Sequence, residues 1–191
     1  MFRKALQNAS AGRRALMGAG LLASLLVGSM ASAQSVSNLS ALDRSHDNDN
    51  PDNQLYYHLQ VVNGGSVAAP LSAITVRYWF TNEAPSDPLK FECDYAQLTC
   101  ANITSKLVAL GTPLPKANMY LEIGFTAAAG SIAPNGGSTG EIQTRIHHVD
   151  FANFNTDLSY SFISDPSFVY KPSQTITVYL NGVLVWGQEP H

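Results

Sequence analysis

Ile176-Thr177-Val178-Tyr179-Leu180-Asn181-Gly182-Val183-Leu184-Val185-Trp186 decides the fold class. Two β-branched, aromatic-containing runs flank Asn-Gly. That pair suits a two-residue hairpin turn, because both turn positions need positive φ. Working outward, the same kind of run recurs at 55–62, 74–81, 119–125 and 140–147, with weaker examples near 90–94 and 105–110. Asn63-Gly64-Gly65 ends one of them and Asn82-Glu83-Ala84-Pro85 ends another. After residue 34 no long window carries a helical period. Seven or eight short strands with turn signals between them predict an all-β sandwich of two antiparallel sheets. Neither an internal repeat nor a linker divides the run, so residues 34–191 read as a single domain.

The preceding stretch reads as an address. Arg3, Lys4, Arg13 and Arg14 come first, then the apolar run 15–30, then Ala31-Ser32-Ala33 before Gln34. A basic start, apolar middle and small-residue end are the parts of a cleaved secretory signal peptide over residues 1–33. A membrane anchor would need about 20 strongly apolar residues, whereas this run is shorter and holds Gly18, Gly20, Ser24, Gly28 and Ser29. Arg13-Arg14 leaves open whether export is general or twin-arginine. The mature protein is expected to be secreted and extracellular, with no membrane association after cleavage.

The formal charge of -3 conceals an uneven distribution. Setting those four basic residues aside leaves 7 of the 11 against all 14 acids, a balance of -7. So acidic a domain, without a basic run, predicts neither a nucleic-acid nor an anionic-membrane partner. In an oxidising compartment Cys93 and Cys100 are most simply read as a disulfide closing a short loop. A metal reading needs more ligands, and a thiol-nucleophile reading needs a partner base.

Catalytic motifs are missing. There is no G-x-S-x-G, no H-E-x-x-H and no glycine-rich phosphate loop. Adjacent His147 and His148 on a strand point to opposite faces, so they read as two exposed residues at a strand end rather than one metal site. His46-Asp47-Asn48-Asp49-Asn50-Pro51-Asp52 offers oxygens to calcium but lacks the glycine and distal glutamate of an EF-hand loop. It reads as a solvated Asx-rich loop. Spacing does not pair Asp94, Glu122, Glu141, Asp150 and Asp157 across a cleft, as glycoside hydrolysis requires. The protein is therefore expected not to be an enzyme.

Five segments in this order carry a resemblance: Val76-Arg77-Tyr78-Trp79-Phe80-Thr81, Cys93-Asp94-Tyr95-Ala96, Tyr120-Leu121-Glu122-Ile123-Gly124-Phe125, Gly140-Glu141-Ile142-Gln143-Thr144-Arg145, and Val178 through Gly187. Together they resemble a family 3 carbohydrate-binding module, the cellulose-binding domain of cellulases and scaffolding proteins. The resemblance implies a jelly-roll β-sandwich. It also implies a flat surface strip on which aromatic rings stack against glucose faces while polar groups bond the hydroxyl edges. It assigns Asp94 to the strip's acidic position, Tyr95 to the ring after it and Arg145 to the strip arginine. Phe151 falls where tryptophan is usual, and Gln143 on a polar anchoring position. Trp79 and Trp186 sit within apolar strands and read as core or structural residues.

Departures from the family pattern soften the expectation. The segment between Cys100 and Leu107 is short and a strip tyrosine has no counterpart there. Phe151 is a smaller ring than tryptophan, so binding weaker than the family's best, or a preference for less ordered cellulose, is expected. The family's structural calcium would fall on Thr81, Glu83 and Asn155. Leu158 and Ser159 replace its last two ligands, with Asp157 close enough to compensate. The expected function is thus a secreted, stand-alone, non-catalytic module whose partners are cellulose or a related polysaccharide and a separate cellulase. The alternative is a secreted β-sandwich for protein association or matrix structure, without sugar binding.

Overall fold

The Asn181-Gly182 turn has φ of 51° and 78°, and it joins strands Ile176–Leu180 and Val183–Trp186 as the sequence requires. The hairpin closes tightly. A Cβ on Gly187 would lie 2.5 Å from the Ile176 carbonyl oxygen, so only glycine fits there.

The computed structural model describes residues 38–46 and 48–191. The signal-peptide reading of 1–33 and its cleavage site lie outside the described residues, as does Asp47. In chain order the strands are β1 (Leu39–Ser45), β2 (Gln54–Asn63), β3 (Ala69–Pro70), β4 (Ile74–Phe80), β5 (Leu89–Ala96), β6 (Ile103–Leu114), β7 (Ala117–Phe125), β8 (Ser131–Ile132), β9 (Gly137–Ser138), β10 (Ile142–His148), β11 (Lys171–Pro172), β12 (Ile176–Leu180) and β13 (Val183–Trp186). The helical segments described are short 3-10 turns.

Two antiparallel sheets dominate. One runs β11-β1-β2-β10-β5, with β9 added beside β2, and the other runs β13-β12-β4-β7-β6. Their inner faces meet through Leu55, Leu59, Ile142 and Ile146 on one side and Val76, Phe80, Leu121, Ile123 and Val178 on the other. Burying such side chains contributes about 1.5–3 kcal/mol each. Tyr57 of β2 and Tyr78 of β4 stack across the gap, with ring centroids 4.1 Å apart and planes 9° from parallel. This is the predicted all-β sandwich.

Two elements differ from the sequence reading. β1 escapes detection because its inward positions are Leu39, Ala41, Asp43 and Ser45; two polar residues facing the core hide the period-2 signal. β6 extends past its expected end to Leu114, with a register shift between Ala109 and Leu114. It lies at a sheet edge, where Pro113 costs no ladder bond.

Candidate functional site

On β2 and β10 alternate residues point away from the core. Gln54, Tyr56 and Gln60 of β2 and Gln143 and Arg145 of β10 are half-buried, while their neighbours Leu55, Leu59, Ile142 and Ile146 are buried. β10 pairs with β5, and the register there shifts between Gln143 and Thr144: Gln143 faces Tyr95, Thr144 faces Cys93, and Asp94 is the extra residue. This β-bulge re-aims the chain. Asp94 and Tyr95 are consecutive yet both exposed, with Ala96 back in the core. The Cys93–Cys100 disulfide closes the loop behind the bulge, a constraint of about 2.5 kcal/mol on the unfolded chain.

The structure brings the five sequence-derived residues onto one sheet face. Arg145 Nη2 pairs with Asp94 Oδ1 at 3.2 Å, and Arg145 Nη1 donates to Gln54 Oε1 at 2.8 Å. Gln143 Oε1 accepts from the Tyr56 hydroxyl at 3.4 Å. Tyr95 is 47% exposed and Phe151 48% exposed. Tyr95 lies opposite Gln143, and Phe151 stacks on His147, four residues farther along β10. Gln143 and His147 are about 14 Å apart along the strand, and Arg145, paired with Asp94, lies between them in β10.

The histidine expectation needs correction. His147 and His148 do face opposite ways, but neither is exposed. His147 lies beneath Phe151 on the outer face, and His148 stacks on the core ring of Phe154, centroids 4.5 Å apart. Each strand-end imidazole is capped by a phenylalanine from the following turn.

Beyond β10 the same face carries residues the sequence reading did not assign to the strip. The His46 ring lies 3.7 Å, centroid to centroid, from that of Tyr56. His46 Nδ1 is 3.2 Å from His58 Nε2. Glu141 Oε1 accepts from Arg44 at 2.7 Å and from His58 Nδ1 at 2.8 Å. The His58 bond holds the Glu141 carboxyl below its ordinary range, and burial depresses the His58 imidazole. Burial, then the Asp94 charge, raises the Tyr56 phenol. Alternation in 55–62 could have pointed to Tyr56, and to Gln54 only if carried back beyond the run; the β2–β10 pairing that puts them beside Gln143 and Arg145 is not written locally.

The expected calcium ligands gather only in part. Glu83 Oε2 accepts the Asn155 N–H at 2.9 Å. Asn155 Oδ1 and, on the same turn, Ser159 Oγ are buried without a partner. These oxygens suit a hard cation that prefers oxygen ligands. Asp157 turns elsewhere and accepts from Asn50 Nδ2 at 2.6 Å. Thr81 begins the loop carrying Glu83. Among the described residues no cluster of three His, Cys, Asp or Glu gathers as a metal site. The Asx-rich loop bonds the turn: Asn50 Oδ1 accepts the Thr156 N–H at 3.2 Å, and Asp52 pairs backbone to backbone with Phe154.

Comparison with known proteins gives the chain its family. The family described as "Cellulose binding domain" matches residues 42–187. Beta-mannanase/endoglucanase A of Caldicellulosiruptor saccharolyticus is 42% identical over 132 residues, 69% of this chain and 10% of that protein. The xyloglucanase of a Paenibacillus species is 36% identical over 138 residues, 72% of this chain and 13% of that one. Cellulosomal-scaffolding protein A of Acetivibrio thermocellus is 37% identical over 155 residues, 75% of this chain and 8% of that one. The chain thus spans only 8–13% of the length of these relatives. Among solved structures, a biomass-sensing module from an RsgI-like protein of Clostridium thermocellum gives a TM-score of 0.75 at 29% identity, over 80% of this chain and 99% of that one. CBM3b of the major scaffoldin subunit ScaA from Acetivibrio cellulolyticus gives 0.72 at 31% identity, over 80% and 97%.

Proposed function

The chain belongs to the family of cellulose-binding domains, a family of carbohydrate-binding modules rather than catalysts, and from that premise we propose that it is a secreted module that binds cellulose through the outer face of the β11-β1-β2-β10-β5 sheet. The observation that carries the reading is the charged Asp94–Arg145 pair set between two open rings, Tyr95 and Phe151. A pyranose ring shows C–H groups on its faces and hydroxyls at its edges. Tyr95 and Phe151 take the faces. Asp94, Arg145 and Gln143 take the edges, as acceptor, donor and mixed partner respectively. Gln54 keeps the Arg145 fork in place, so little side-chain freedom is lost on binding. Phe151 gives a smaller contact than an indole, which favours moderate affinity and less ordered cellulose.

Calcium in this reading is a weak structural ligand held by Glu83, Asn155 and Ser159. It would neutralise the Glu83 carboxylate and satisfy the two buried oxygens.

The test is depletion of the purified protein from solution by microcrystalline and amorphous cellulose, with chitin and xylan beside them and calcium present. Adsorption to cellulose that Tyr95→Ala weakens without unfolding supports the reading. A folded protein that leaves every polysaccharide untouched sinks it and moves the assignment to protein association.

A further inference from the structure

Phe151 is not a lone ring. It lies flat on the imidazole of His147, centroids 4.4 Å apart and planes 4° from parallel. His147 is 5% exposed and itself clamped. Its Nδ1 lies 2.7 Å from the His148 carbonyl oxygen; that oxygen can only accept, so Nδ1 carries the proton. Its Nε2 faces Glu92 Oε1 at 3.7 Å. The imidazole is thus held at its Nδ1 edge, and one of its faces is covered by Phe151.

Phe151 needs such support. Its φ is 59°, a left-handed conformation uncommon for a bulky side chain and kept only where the surroundings enforce it. An exposed phenyl on a turn would otherwise move among rotamers and would lose that freedom on binding. Stacking on a fixed ring removes much of the loss in advance and turns the open face of Phe151 outward.

We propose that His147 is a positioning residue of the polysaccharide face: it holds Phe151 as a flat, preset platform and raises affinity without touching sugar. This rests on the reading that Phe151 contacts the ligand. The His147–Phe151 pair then makes a two-layer platform where the family usually has one broad indole.

Adsorption isotherms on amorphous cellulose, with urea denaturation alongside, test it in the full protein. Phe151→Ala is expected to weaken binding about tenfold. His147→Leu, which fills the volume without a flat ring, should weaken it severalfold, while His147→Phe, which keeps a ring beneath Phe151, should restore it. In a Phe151→Ala background His147→Leu should cost nothing more. Should His147→Leu destabilise the fold, His147→Phe and the double variant still decide the matter on the folded fraction. Binding by folded His147→Leu equal to the parent, or losses that multiply in the double variant, overturns the proposal while leaving the platform standing. A parent that does not adsorb, or a Phe151→Ala variant that adsorbs as the parent does, removes the platform itself and the positioning role with it.

Discussion

The sandwich has two outer faces, and each carries aromatic rings with an arginine. They differ in what the arginine does. On the β13-β12-β4-β7-β6 sheet, the Arg77 guanidinium lies over the rings of Tyr179 and Tyr120, 4.3 and 4.5 Å from their centroids, and bonds Glu122 at 3.0 Å. Trp79 packs against Tyr120 and donates its indole N–H to Thr177 at 2.9 Å. It ends only 3% exposed. On the other sheet, Arg145 is drawn sideways by Asp94 and Gln54, and Tyr95 and Phe151 stay open. A cation over a ring uses the ring's face; Arg77 does so although Glu122 also holds it, whereas the rings flanking Arg145 stay open. Aromatic content therefore does not identify a binding face. The open rings, Tyr95 and Phe151, set this face apart from the other.

The largest test of this contrast is Trp79→Ala. Removing a buried, hydrogen-bonded indole should cost about 3–5 kcal/mol in urea denaturation, while the protein that remains folded binds cellulose as before. A loss of binding without a loss of stability would break the comparison.

Tyr95→Ala should do the reverse. Cellulose adsorption is expected to fall about tenfold, with stability changed by less than about 0.5 kcal/mol. Equal effects at Tyr95 and Trp79 on both readouts would erase the distinction between the faces.

Between the faces, Asp43 makes a smaller, pH-dependent contribution. It points inward from β1, and burial lifts its carboxyl from 3.8 to about 7. The folded state thus holds the proton more tightly than the unfolded chain. Its stabilising effect is complete below the unfolded value and is lost as pH rises through the folded one. From about pH 6 to about pH 8, stability should fall by roughly 1.4 kcal/mol on this account. Asp43→Asn should flatten that slope, and the difference between the two curves isolates Asp43 from Glu141 and His58, whose depressed values act in the opposite sense at lower pH. An unchanged slope would place the titration elsewhere.

The smallest effect belongs to calcium. If Glu83, Asn155 and Ser159 hold it at millimolar strength, about 1 mM calcium should raise stability by only about 0.4 kcal/mol, and Glu83→Gln should abolish the increment. A gain of several kcal/mol would mean a far better site than these oxygens form.

Much of the fold was legible in the chain. Asn181-Gly182 between two apolar runs has one economical solution, and it forms. The run 74–78 alternates because one side must be dry. β1 was illegible for the same reason reversed, since Asp43 and Ser45 occupy inward positions. The candidate site divides along similar lines. Resemblance selects Asp94, Tyr95, Gln143, Arg145 and Phe151 one position at a time. It gives no sign of Gln54, Tyr56 or His147, because their roles come from pairing and stacking with residues distant in sequence or folded back by a turn. His147 and His148 look like exposed strand-end residues until the turn at 149–154 brings Phe151 and Phe154 over them.

The sequence by itself determined what short-range chemistry can encode: an all-β chain, its hairpin, its cysteine loop and the residue types a sugar-binding face would need. Only the tertiary structure decided which of those residues share a surface. The β5–β10 bulge turns Asp94 and Tyr95 the same way, the β2–β10 register sets Tyr56 opposite Arg145 and lets Gln54 reach its guanidinium diagonally, and the stack of Phe151 on His147 presents a ring to solvent. The physical reason is that strand alternation assigns a side chain to one of two sides, whereas register, bulges and cross-strand partners are settled by contacts between segments far apart in the chain.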